Sequence, residues 1–328
     1  MDKDLKEYFA VSVVMPVYNA ELYLEQSVES ALAQVEVKEV LLVDDGSKDK
    51  SLDLCMSLAK GDSRVRLFTH KNHKNMGPAA TRNLGINQAT QPYIAFLDAD
   101  DFYLLNRFSM TKDLFAKDPS IDGVYEAVGA HFESEEAERR WRYMGSADLT
   151  TIRSGIAPEE LFYEQSPVGQ AGHCHLNGLT LKTKVVQLTG YFDTDLRGPE
   201  DTAFFIKLSA FVKLVPGQVT FPIAMRRVHA SNAFTKLKSP QQYWRYRVVM
   251  WLSSYNWLSK KGLDNKKQNA IIQRMLYDLD IVNNNLDFKI YHFVSILIRA
   301  GYMLRYQPLL LFNKNFILGI GMRLFRSV

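Results

Sequence analysis

The sequence predicts an α/β protein with a doubly wound, mainly parallel sheet and a helical C-terminal extension. Three observations carry that prediction. Short apolar runs alternate with helical patterns over residues 11–101, polar and acidic clusters sit where the runs end, and from about Gln241 onward the pattern is helical. Strands that alternate with single crossover helices run parallel, because each helix carries the chain back to the edge where the next strand begins. Polar clusters at strand ends mark the carboxyl edge, where such sheets bind ligands.

In chain order, Val11–Met15 is a compact apolar run closed by Pro16 and reads as a first strand. A helix follows from about Glu21 to Gln34, with Leu24, Val28, Ala31 and Val35 on one face. Glu39–Val43 predicts a second buried strand ending at Asp44-Asp45-Gly46-Ser47. Leu52, Cys55, Met56 and Ala59 then mark another helix, with Ser47 as its N-cap. Arg64–Thr69 fits a third strand, Ala79–Ala89 a third helix and Pro92–Leu97 a fourth strand. That strand runs into Asp98-Ala99-Asp100-Asp101. Crowded acids are costly unless a cation or specific donors compensate them. Hard oxygen ligands at this spacing suit Mg²⁺ or Mn²⁺, ions that usually bring phosphates with them. Taken alone, the same acids also read as turn formers. Residues 120–180 mix short apolar runs with Gly, Ser and charge, as a less regular substrate-facing region does, and Arg226–Thr235 reads as a polar loop. Glu200-Asp201 precede a helix expected to start near Thr202, where acids also serve as caps. His173-Cys174-His175 suggests a metal site, but adjacent residues on a strand face opposite ways, which favours packing or substrate contact.

The chain has 328 residues, 47% hydrophobic and 23% charged. That is enough to bury the core of one large α/β domain, or of one domain with an appendage. Cys55 and Cys174 are far apart and form no CxxC pair, so a reducing compartment is expected and neither a disulfide framework nor a zinc knuckle is. Met1–Phe9 lacks the apolar run of a cleaved signal, and no stretch approaches the roughly 18 uncharged residues of a spanning helix. The net charge of +4 conceals an asymmetry: Phe288–Val328 carries Lys289, Arg299, Arg305, Lys314, Arg323 and Arg326 and no Asp or Glu. Those six charges leave the rest of the chain slightly acidic. So rich in Phe, Leu, Ile and Tyr, this end is no nucleic-acid tail, and no nucleic-acid partner is expected. It reads either as a helical appendage packed on the main domain or as a peripheral membrane contact through 288–328, by Phe293, Leu309, Leu310, Leu311, Phe312 and Phe316.

Several of these runs match motifs in order. Val11-Ser12-Val13-Val14-Met15-Pro16-Val17-Tyr18-Asn19, Val43-Asp44-Asp45-Gly46-Ser47 and Phe96-Leu97-Asp98-Ala99-Asp100-Asp101 resemble three successive motifs of the family 2 glycosyltransferases. Gly77–Gly85 resembles the family's helix start between the second and third, and Gly190-Tyr191-Phe192-Asp193 followed by Glu200-Asp201 its acceptor-side motif. The resemblance covers roughly residues 11–235.

It implies a GT-A fold, a nucleotide-diphospho-sugar donor and inversion at the anomeric carbon. Pro16, Val17 and Tyr18 would line the base pocket. Asp45, with Asp44 beside it, would accept from the imide N–H of uracil or thymine. Asn19, Glu21, Gly77, Arg82 and Ala99 would complete the nucleotide-sugar site, with Lys74 and Arg82 either on the diphosphate or solvated. Asp98 would lie by the ribose, Asp100 and His229 would hold Mn²⁺ or Mg²⁺, and Asp101 would support its neighbours or cap the next element. Asp201 would be the catalytic base, with Glu200 beside it. The implied organisation is a catalytic domain over 1–238, with nucleotide-sugar binding over about 11–101 and the acceptor side over about 102–238. A helical region follows over 239–328.

The implied activity moves a hexose-type sugar from a UDP-sugar, or less commonly a dTDP-sugar, to a hydroxyl of a glycan or lipid-linked acceptor. It would serve cell-surface polysaccharide or glycolipid synthesis, in the cytoplasm or on the cytoplasmic face of a membrane. The alternative is a noncatalytic nucleotide-sugar-binding subunit on the same fold. The Gln-x-x-Arg-Trp signature of processive members is absent, which favours transfer of one or a few sugars, and Thr81 stands where the family usually has Ala.

Overall fold

A computed structural model describes residues 9–196, 198–229, 232, 240–283, 300–301, 303–304 and 308–327. The strands in chain order are β1 (Val11–Val17), β2 (Val37–Asp44), β3 (Val65–Thr69), β4 (Tyr93–Phe96), β5 (Phe102–Tyr103) and β6 (Gly123–Tyr125), then β7 (Val128–Phe132), β8 (Leu149–Thr150), β9 (Leu179–Lys182), β10 (Leu214–Pro216) and β11 (Ala224–Val228). The main sheet has the order β10-β6-β9-β4-β1-β2-β3, and a smaller one the order β5-β11-β7-β8. The stretch β4-β1-β2-β3 is parallel throughout, with Val14 opposite both Leu41 and Phe96. β9 runs antiparallel to both β4 and β6 and so reverses the sheet beyond the fourth strand. This is the mainly parallel, doubly wound sheet that the alternation predicts.

The helices α1 (Leu24–Leu32), α2 (Ser51–Gly61) and α3 (Pro78–Gln88) connect the parallel strands. Because β1 lies in the middle with both faces covered, Val13 to Val17 are apolar in succession instead of alternating with polar ones. Val13 and Met15 pack with Val40 and Leu42 against Leu24 and Val28 of α1 and Cys55 of α2. Val14 and Leu41 face the other way, onto Ala79 and Ile86 of α3. Gly85 makes that approach close, since a Cβ there would sit 2.6 Å from Val14 Cγ1.

Beyond the sheet come α4 (Ser109–Lys117), α5 (Glu135–Tyr143), α6 (Leu161–Glu164), α7 (Thr183–Thr189), α8 (Glu200–Phe211), α9 (Pro240–Lys260), α10 (Asn265–Asn283) and α11 (Lys314–Ser327). α9 and α10 build a core of their own on α8, in which Trp251, Leu258, Ile271 and Met275 pack against Ala203, Ile206 and Ala210. Asp278 fastens it, accepting from Arg247 Nε and Trp251 Nε1 at 2.7 Å each.

Several local expectations are corrected. α2 starts at Ser51, so Ser47 is not its N-cap; its hydroxyl instead accepts from Asn19 N at 3.1 Å. Val35 is 75% exposed, because α1 ends at Leu32 and the chain leaves helical phase on its way into β2. Met56 lies on the solvent side of α2. Arg226–Val228 belong to β11 and not to a loop: Arg227 is polar and buried, but its guanidinium finds the Asp100 carbonyl, Glu133 and Gln26, so it does not break the strand. α8 begins at Glu200 itself. Lys289, Phe293, Arg299, Arg305 and Thr235 lie outside the described residues.

Candidate active site

The polar clusters converge at the carboxyl ends of β1, β2 and β4. After β1 the chain turns through Asn19 at φ 52°, a left-handed conformation that asparagine tolerates better than most residues. Asn19 Oδ1 accepts from Lys48 N at 2.7 Å, and Glu21 Oε2 accepts from Lys50 N at 2.8 Å. The β1–α1 and β2–α2 turns are thereby stitched together. Asp44 is fully buried and its carboxylate accepts from Gly46 N at 3.0 Å and Ser47 N at 3.3 Å. It shapes this turn and does not line the cleft. Asp45 does line it, while accepting from Met76 N at 2.6 Å and Gly77 N at 2.9 Å. That bond pair fixes the loop leading into α3 against the end of β2.

The loop after β4 is clamped from behind. Asn177 is buried; its Oδ1 accepts from Asp98 N at 3.1 Å and its Nδ2 donates to Asp101 Oδ2 at 2.6 Å. Asp101 also accepts from Arg227 N at 2.7 Å. Burial first, and then the neighbouring Asp100 and Asp98, push the Asp101 carboxyl well above its ordinary range. Asp101 thus ties β11 to the loop. Asp100 points the other way, its Oδ2 3.2 Å from His229 Nε2 and 3.1 Å from Asn232 Nδ2.

Arg82, from α3, bridges the two sides of the site. It is buried, and it donates to Asp98 Oδ1 at 2.8 Å and to Glu200 Oε1 at 3.2 Å. Burial works against ionisation of Asp98, but the guanidinium outweighs it and holds that carboxyl below its ordinary value. For Glu200 burial prevails, with Asp201 adding to it, and its carboxyl is raised despite Arg82. Asp201 Oδ1 accepts from Thr202 N at 2.6 Å. No hydrogen bond among the described residues reaches its Oδ2.

Two adjoining hollows form the cleft. The first, of about 740 Å³, is lined by Pro16, Val17, Tyr18, Asn19, Glu21, Asp45, Gly77, Arg82, Asp98, Ala99, Asp100 and His229. The second, of about 650 Å³, is lined by Glu200 and Asp201 with His175, Arg226 and Thr194. Gly77, Arg82, Asp98, Asp100 and Asn232 wall both. Of the residues assigned from the sequence to the nucleotide-sugar, metal and catalytic roles, all but Asp44 and Lys74 line this cleft, and neither His173 nor Cys174 does. His175 contacts the backbone, with Nδ1 accepting from Asn177 N at 3.3 Å, and burial, then Arg226, lower its pKa to about 4.

Asp100 and His229 fit a small divalent cation. A carboxylate oxygen and an imidazole nitrogen face the same hollow, and their separation suits neighbouring ligands of one ion, for which about 3 Å is expected. Asp98, Asp101 and His175 also bring ligand atoms within 4.8 Å of one another, but Asp101 is committed to Asn177 and Arg227. Sequence reasoning missed Asn177, Arg227 and Asn232. Only Asn232 had a signal, standing three positions after His229 in a polar run.

Residues 12–166 match the family model described as Glycosyl transferase family 2. An uncharacterized glycosyltransferase of Haemophilus influenzae is 48% identical over 93 residues, covering 28% of this chain and 36% of that protein. The Escherichia coli protein named UDP-Glc:alpha-D-GlcNAc-diphosphoundecaprenol beta-1,3-glucosyltransferase WfgD is 35% identical over 123 residues, covering 37% of this chain and 47% of its own. The crystal structure of S. aureus TarS 1-349 in complex with UDP-GlcNAc matches with a TM-score of 0.56 at 17% identity, over 90% of this chain and 89% of that one. This last likeness concerns the fold, which is GT-A. The chain spans about a third of the length of the first curated relatives it matches, 36% and 32%. Residues 12–166 thus match the family 2 glycosyltransferases, and the chain shares the GT-A fold.

Proposed function

We propose that this chain is an inverting, metal-dependent glycosyltransferase that moves a sugar from a UDP-linked donor to a hydroxyl of a glycan or lipid-linked acceptor. The observation that carries the reading is the division of the cleft. The motif residues line one hollow, Asp201 lines the adjoining one with an oxygen to spare, and Arg82 stands between them. An acceptor hydroxyl in the second hollow approaches the sugar from the side opposite its leaving group, the geometry that inversion requires.

Asp201 Oδ2 takes the proton of that hydroxyl as its oxygen bonds to the anomeric carbon and the bond to the diphosphate breaks. Asp45 and the Pro16–Tyr18 turn receive the base, and Asp98, oriented by Arg82, the ribose. Asp100 and His229 would hold Mn²⁺ or Mg²⁺, which would neutralise charge on the departing diphosphate. Glu200 orients Arg82. The name of WfgD, a UDP-Glc-dependent enzyme acting on a diphosphoundecaprenol acceptor, and the UDP-GlcNAc in the TarS structure support a UDP-sugar and a lipid-linked acceptor. The work would be done at the cytoplasmic face of a membrane, by a catalytic domain ending near residue 238.

Asp201→Asn keeps the shape of the site and removes the base. Transfer measured as UDP release is expected to fall about 10²–10⁴-fold with UDP affinity unchanged. Near-normal turnover of this variant overturns the assignment, and full activity in EDTA overturns the metal role of Asp100.

A further inference from the structure

The C-terminal helix is apolar on the side that faces solvent as well as on the side that packs. Phe316 and the preceding Leu310 are buried in the helical core with α9 and α10. On the outer side Ile317 and Leu318 are about half exposed, Met322 is 57% exposed, and in the turn before the helix Phe312 is 85% exposed beside an exposed Leu311. A surface helix ordinarily turns its polar residues outward. Here the outward row Lys314, Leu318, Met322, spaced four apart, carries one cation and two large apolar side chains. Exposed apolar groups this close together mark a contact surface.

The charge of the surrounding segment selects what covers it. The turn and helix that carry this face, residues 308–327, contain Lys314, Arg323 and Arg326 and no acid. A second copy meeting this face would bring the same positive charge against it, which repels. A layer of anionic headgroups over hydrocarbon satisfies both features, Lys314 at the headgroups and the apolar side chains below it. No helix among the described residues is long and apolar enough to cross a membrane, so the fitting arrangement is one that lies on the surface.

We propose that Leu311, Phe312, Ile317, Leu318 and Met322, with Lys314, form a docking surface for an anionic lipid bilayer. The inference deepens the reading of a lipid-linked acceptor and rests on it for its purpose, but not for its test. The full chain is sedimented with vesicles of phosphatidylcholine alone or mixed in equal parts with phosphatidylglycerol, with neither sugar donor nor acceptor present. Binding is expected only to the anionic vesicles, to weaken with added salt, and to fall about tenfold in Phe312→Ser/Leu318→Ser, whose thermal midpoint should match the parent because both side chains are exposed. Equal binding to both vesicle types, undiminished binding of the double variant, or self-association abolished by the double variant without vesicle binding overturns the proposal. Asp201→Asn should bind vesicles like the parent. Loss of transfer with vesicle binding intact leaves this surface standing, and absent vesicle binding in a chain that transfers sugar normally overturns the surface alone.

Discussion

The two sides of the cleft are held in place by different means. On the side proposed for the nucleotide sugar, residues 11–101, the cleft acids Asp45, Asp98 and Asp100 stand within a few positions of the end of a parallel strand. The turns are tied to one another over short distances along the chain, as Asn19 is to Ser47 and Asp45 to Gly77. On the side proposed for the acceptor, the described residues beyond Asp101 that line the cleft, position depends on buried side chains that reach across long stretches of chain. Arg227 reaches Asp101 across 126 positions, Glu200 reaches Arg82 across 118, and Asn177 reaches Asp101 across 76. One side is fixed by the regularity of the sheet. The other is fixed by a few hydrogen bonds, each of which the site loses whole if one partner changes.

The sharpest way to break that contrast is at Arg107, which is fully buried. It donates to Glu126 Oε2 at 2.6 Å, to Thr180 Oγ1 at 3.3 Å and to the carbonyl of Asn177 at 3.1 Å. Arg107→Met strands the Glu126 carboxylate in the interior and is expected to cost about 3–5 kcal/mol in urea unfolding. A loss under about 1 kcal/mol would mean that the acceptor side does not hang on its buried pairs. Asn177→Leu comes next. It keeps the volume but deprives both Asp98 N and the Asp101 carboxylate of a partner, at about 1–3 kcal/mol. Since the loop after β4 moves with it, turnover should fall as well, and unchanged turnover at reduced stability would limit Asn177 to a packing role.

This contrast also decides what could be read from the sequence. The strands β1, β2 and β4 and the helices α1 to α3 were legible because burial on both faces of the sheet forces long apolar runs. The edge strand β3 was legible because helices flank it, and the site acids because each acid lining the first hollow sits near a strand end. Asp45, Asp98 and Asp100 could therefore be located from local pattern. β9 could not be placed, since its antiparallel insertion between β4 and β6 depends on pairing with strands far away in the chain. Asn177 and Arg227 look like any polar residue until the fold brings Asp101 to them. Asp44 and Asp45 share a motif yet diverge, one turned in to hold Gly46 and Ser47, the other facing the cleft. Adjacent residues at a strand end point opposite ways, and sequence alone does not say which faces the ligand.

His175 tests the acceptor side through pH. Its Nδ1 accepts from Asn177 N, so the folded chain needs a neutral ring, and its pKa of about 4 lies below the ordinary value of 6.5. Between those values the unfolded chain binds a proton that the folded chain refuses. Stability from this group is therefore complete above pH 6.5, declines as pH falls toward 4, and changes no further below it. Allowing for partial exposure of the ring, the decline is about 1–2 kcal/mol. In metal-free protein, His175→Gln should flatten this part of the stability profile. An equally steep profile in the variant would place the acid sensitivity elsewhere.

The smallest effect is expected at Val35, and it sharpens the contrast from within the regular half. Helical spacing puts Val35 in phase with Val28 and Ala31, yet it stands 75% exposed because α1 has already ended at Leu32. Local pattern governs the middle of an element and loses its hold at the end, where the turn and not the helix sets direction. Val35→Ser should stay within about 0.5 kcal/mol of the parent. Val28→Ser, buried one helical turn and more upstream, gives up apolar burial worth about 1.5–3 kcal/mol. Comparable losses at the two positions in urea unfolding would mean that α1 runs on past Leu32, and that local spacing reaches further into the turns of the nucleotide-sugar side than the fold allows.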